Sequence, residues 1–146
     1  MTTPPSLSDA QQALLSALLD ALVPASADGR MPSAAEVGFD GYLVTQAPDF
    51  TPELVAFLQR LEPGFSDLSL DARCEELRHL QGADPLKFSN LLARVYDCYY
   101  QHDAVREAIG VVQGAVFPQG NEVIQGDLSL LDPVIQHRER HRYRPA

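Results

Sequence analysis

From Ser8 to Gly110 the chain repeats one device: a residue able to cap a helix, an apolar stripe of helical period, then a proline or glycine stop. This punctuation constrains the fold more than any other feature. A helix with one apolar stripe is stable only when that stripe is buried against another element. Ser8 with Gln11 makes a capping box, each side chain reaching a free backbone N–H of the other residue. Behind it Leu14, Leu15, Leu18, Leu19 and Leu22 recur at helical spacing until Pro24. The polar run "ASADGRMP" then reads as a loop.

Five more starts follow. Ser33 and Glu36 form a second capping box, ahead of a helix carrying Val37, Phe39, Tyr42, Leu43 and Ala47 as far as Pro48. Gly38 and Gly41 inside it would each weaken an exposed helix by ~1 kcal/mol, which predicts another backbone packed closely there. Thr51-Pro52 opens a third helix lined by Leu54, Phe57, Leu58 and Leu61 and broken by Pro63-Gly64. A fourth is predicted from Ser69 to Gly82, with Leu70, Cys74 and Leu77 inward. Asp84-Pro85 opens the fifth, "LKFSNLLARVYDCYYQ", whose stripe takes in Phe88, Leu91, Leu92, Val95, Tyr96 and Tyr99. A short sixth, Asp103 to Ile109, closes on Gly110.

After Gly110 the 3.6-residue period is lost. Residues 111–146 contain Gly114, Gly120, Gly126 and three prolines, yet remain rich in Val, Ile and Leu. Structureless runs of this length are uncommon in a compact domain, and this one is too apolar for a solvated linker. Fully extended it would reach on the order of 120 Å, against a radius of gyration of about 13 Å for the helical body. The expected fold is therefore all-α: a small bundle of about five or six helices over residues 1–110. A long extended C-terminal arm, residues 111–146, follows it and docks on a partner subunit as well as on the body.

Charge is also divided unevenly, with the break near the end of the arm. Residues 1–136 hold 19 acidic against 7 basic side chains, net -12, while the last ten hold four arginines against Glu139, net +3, giving -9 overall. An acidic body argues against nucleic acid and against anionic lipid as partners. The basic ending "RERHRYR" is short and lysine-free. Arginine's planar fork suits carboxylates and aromatic faces. Extended alternation places Arg138, Arg140, Arg142 and Arg144 on one side of the segment, with Glu139, His141 and Tyr143 on the other. A solvated tail remains the alternative.

The chain carries no phosphate loop, no dinucleotide fingerprint and no nucleophile elbow. Cys74 and Cys98 fall in predicted helices, outside any C-x-x-C pattern, and read as small buried hydrophobes. His137 and His141 stand four apart, but "RER" between them and Pro145 after them work against the helix a metal clamp would need. Glu75 and Glu76 are adjacent on a helix and so do not face each other. No catalytic, cofactor or metal residue is assigned. In "YDCYY" Tyr96 and Tyr99 share a face and Tyr100 points elsewhere. Either one side meets a partner, where tyrosine is enriched, or the helix is buried all round. The residues expected at a partner are Tyr99, Tyr100, Phe117, Pro118, Leu128, Leu131, Pro133, Val134, Arg138, Arg140, Arg142, Tyr143 and Arg144.

Three stretches together carry a family resemblance: "LLSALLDALVPASADGRMPSAAEVGFDGYL", "LLARVYDCYY", and the ending "FPQGNEV…DLSLLDPV…YR". In their order and spacing they resemble the family named after gluconate 2-dehydrogenase subunit 3, most closely over residues 11–45. The resemblance implies a small subunit without a cofactor of its own. Its partner would be a large FAD-dependent dehydrogenase of the glucose-methanol-choline type, acting on sugars or other polyols, with a cytochrome subunit often taking the electrons. It implies a role in supporting the folding, stability or export of that large subunit. Many members begin with a twin-arginine signal; "MTTPPSLS" has neither an arginine pair nor an apolar run. A cytoplasmic location is therefore expected, or a periplasmic one if a signal was removed or lies on another subunit. No segment suggests membrane insertion. A free-standing helical interaction module with no oxidoreductase partner is the alternative function.

Removal of residues 127–146 should weaken association with the partner while the body keeps its helical content. Circular dichroism and size-exclusion of the truncated chain check this, and loss of the fold would assign the arm to the core.

Overall fold

The computed structural model describes residues 7–111 and 126–133; within the second stretch the side chains of Leu128 and Leu130 are not described. The chain divides into two units, residues 1–114 and 115–146. The first holds α1 (Asp9–Leu22), α2 (Phe39–Thr45), α3 (Thr51–Leu58), α4 (Leu70–Ala83), α5 (Pro85–Gln101) and α6 (Asp103–Ala108). No strand occurs among the described residues, so the fold is all-α. None of their helices is long and apolar enough to cross a membrane.

α1 packs against two other helices and two short turns. Its capping box is complete: the Ser8 hydroxyl accepts from the Gln11 N–H at 3.3 Å and the Gln11 side chain accepts from the Ser8 N–H at 2.9 Å. Two of the helix's orphan N–H groups are satisfied this way before the leucine run begins. Leu15, Ala17, Leu18, Leu19 and Ala21 are buried, and Leu14 and Leu22 pack half-buried at the edges. α1 touches α3, α4 and two 3-10 turns, Ala34–Glu36 and Phe65–Asp67. Those turns bring in Ala34 and Phe65, and both are essentially inaccessible to solvent.

The second predicted helix starts later than its capping box suggests. Ser33 and Glu36 do cap each other, but they cap the 3-10 turn Ala34–Glu36. The chain then breaks at Gly38, which has φ +73°, and α2 starts at Phe39. A left-handed residue inside the pattern divides what the spacing reads as one helix. The close backbone approach expected at Gly38 and Gly41 is not found: a Cβ at either would meet nothing within 4 Å. Gly38 serves the turn, and Gly41 is an exposed helical glycine with open space around it.

α4 runs from Leu70 as the Ser69 cap predicts, but Leu70 is exposed and Cys74 half-buried, leaving Leu77 as its buried residue. The loop between α1 and α2 is pinned at several points. The Ala34 N–H donates to the Val23 carbonyl at 2.9 Å, and the Tyr99 hydroxyl donates to the Pro32 carbonyl at 2.8 Å. The Arg30 guanidinium reaches the Ala108 carbonyl at the end of α6, at 3.4 Å. α6 closes on Gly110 in the left-handed region, the usual way to end a helix.

In the second unit, Leu128–Leu131 form a 3-10 turn capped by Asp127, whose side chain accepts from the Ser129 N–H at 3.0 Å. A local Asx-type hydrogen bond supplies a turn that period-counting does not register. The rest of the arm, residues 112–125 and 134–146, lies outside the described residues.

The two glycines of α2 provide a test. Gly41→Ala should stabilise the protein by up to ~1 kcal/mol, whereas Gly38→Ala should destabilise it by about 1–2 kcal/mol because alanine disfavours positive φ. Urea denaturation of both variants checks the pair of opposite signs.

Candidate interaction surface

α5 is the longest helix described, at 17 residues. It starts where Asp84 meets Pro85. The Asp84 carboxylate accepts from the Lys87 N–H at 3.3 Å, and proline occupies a position needing no N–H. The same carboxylate pairs with Arg60 of the segment after α3, at 3.3 Å, and with Lys87 Nζ at 3.2 Å. The hydrogen bond from the Lys87 backbone, helped by its ammonium and by Arg60, holds the Asp84 carboxyl below the usual carboxylate range, against a smaller desolvation effect.

Steps of 100° per residue sort the rest of α5 into three strips. Phe88, Leu91, Val95, Cys98 and Tyr99 are buried and face the core. Lys87, Asn90, Arg94, Asp97 and Gln101 form a polar strip, with Arg94 and Asp97 paired at 4.0 Å. Between them lie Ser89, Leu92, Ala93, Tyr96 and Tyr100, an uncharged strip on a chain of net charge -9. Leu92 is half-buried and the other four are exposed, Tyr96 at 42% and Tyr100 at 52%.

The structure corrects two tyrosine assignments. Tyr99, expected at the partner contact, is 2% exposed and belongs to the core. Tyr96, expected in the core stripe, lies on the surface beside Tyr100, ring centroids 5.9 Å apart in an edge-on arrangement. One helical turn separates positions 96 and 100, so they share a strip, while Tyr99 is rotated toward the neighbouring helices. Burial pushes the Tyr99 hydroxyl's pKa up, with Tyr100 and Glu36 adding to it.

Tyr99 nevertheless shapes the surface. Its ring meets Tyr100 edge-on at 5.3 Å while its hydroxyl is tied to Pro32, so Tyr100 rests on a fixed support. Rigid aromatic side chains already held in place lose little entropy when a partner covers them. Two half-exposed tyrosines offer on the order of 200 Å², worth about 5 kcal/mol at most on burial. Association costs about 4–15 kcal/mol. The pair can therefore anchor a complex without sustaining one, and a partner must cover further surface.

The other expected contact residues are placed only in part. Leu131 and Pro133 are exposed within the second unit, and Leu128 lies in its 3-10 turn. Phe117, Pro118, Val134, Arg138, Arg140, Arg142, Tyr143 and Arg144 lie outside the described residues, as do His137 and His141. Exposed Leu86, at the start of α5, and Ile109 and Val111, after α6, are surface hydrophobes that the sequence reading passed over. The signal for Leu86 was available, since it falls more than 100° from the core strip of its own helix.

No cluster of three or more His, Cys, Asp or Glu positioned to hold a metal occurs among the described residues. Cys98 is buried with its thiol 3.8 Å from the Val37 carbonyl, and burial raises its pKa, which keeps it protonated at neutral pH. A cleft between α3 and α5, floored by Phe50, Phe57 and Leu91 and rimmed by Glu53, Arg60 and Lys87, has a volume of about 70 Å³. Ligand pockets run from about 300 Å³, so this cleft has room for little more than a side chain.

Tyr96→Ala and Tyr100→Ala should each shift unfolding stability by about 1 kcal/mol or less, whereas Tyr99→Ala should cost about 3–5 kcal/mol, as read by urea denaturation. The depressed Asp84 pKa has a definite sign: its stabilisation is present above the ordinary value of 3.8 and is lost as pH falls through the lower folded value. The stability gap between the native chain and Asp84→Ala should therefore be constant near neutrality and close in acid, measured by denaturation across pH. Comparison with protein-family models, curated proteins and solved structures finds no match for this chain.

Proposed function

We propose that this chain is a non-catalytic accessory subunit that binds and stabilises a larger enzyme. The observation that carries the reading is the uncharged strip of α5, where Tyr96 and Tyr100 stand exposed and pre-positioned on an otherwise acidic chain. Interfaces concentrate tyrosine and exclude charge at their centres, and this strip has both properties. The resemblance of residues 11–45 and of the aromatic helix to the gluconate 2-dehydrogenase subunit 3 family supplies the partner: an FAD-dependent sugar or polyol dehydrogenase of the glucose-methanol-choline type. FAD belongs to that partner, and a cytochrome subunit is its expected electron acceptor. The basic ending and the apolar residues of the arm provide the additional contact area that the tyrosine pair lacks.

The mechanism is linkage. A subunit that binds only the folded large subunit stabilises it by about 2.7 kcal/mol when present at a hundred times its dissociation constant. Holding the fold also holds the flavin site, so bound subunit should raise flavin retention without touching substrate.

Co-expression with the large flavoprotein subunit encoded nearest to this chain should raise the yield of soluble, flavin-loaded enzyme. The double variant Tyr96→Ala/Tyr100→Ala should lose most of that gain while remaining folded by circular dichroism. Equal yield, flavin content and turnover with and without the chain would refute the accessory role and favour a free-standing interaction module.

A further inference from the structure

We draw no further inference here: the strongest candidate, the open groove between α1, the 3-10 turn Ala34–Glu36 and α4, is walled by small side chains around an Arg73 guanidinium already bonded to the Ser66 carbonyl and facing Asp20, and nothing in the structure shows what covers it.

Discussion

The fold of the first unit depends on burial of the leucine face of α1. Leu15, Leu18 and Leu19 are nearly inaccessible, and α3, α4 and two 3-10 turns meet on them. A 14-residue helix is only marginally stable alone in water, so the capping box at Ser8 and the tertiary contacts must act together. Shortening Leu18, which is fully buried, would leave a cavity that relaxation fills only partly. The shorter helices have still less stability of their own: α3 packs against α1, whereas α2 and α6 pack against α5.

Tyr99 links that core to the surface. Its ring is buried with Leu91 and Val95, its hydroxyl holds the loop before α2 through the Pro32 carbonyl, and its edge supports Tyr100. A buried hydroxyl without an acceptor would be costly, and the Pro32 carbonyl supplies one. One residue thus joins loop position, helix packing and the geometry of the exposed strip. The thiol of Cys98, one position earlier, is buried near the Val37 carbonyl and works as a small hydrophobe, not as a reactive group.

Much of the helical order was legible because helix starts are local. Ser8, Ser69 and Asp84 cap the helices that begin just after them, and each needs only a hydroxyl or carboxylate within reach of an N–H two or three residues on. The misreadings have equally definite causes. The box at Ser33 caps a single 3-10 turn because Gly38 turns left-handed two residues after it closes. Phe50 and Phe65 sit in short turns, where no 3.6-residue period reveals them, yet both are buried. Tyr96 and Tyr99 lie 60° apart on the helix, a difference too small for periodicity to decide which one faces inward.

Sequence alone determined that this chain is helical and roughly where its helices begin, because capping, proline geometry and apolar spacing act within a few residues. It also determined the division of charge between an acidic body and a basic ending, which is composition and needs no fold. Only the tertiary structure decided which side of α5 is left open. That choice depends on where α2, α4 and the loop carrying Pro32 press against the helix, and such contacts join residues up to 67 positions apart. Local spacing carries no record of them.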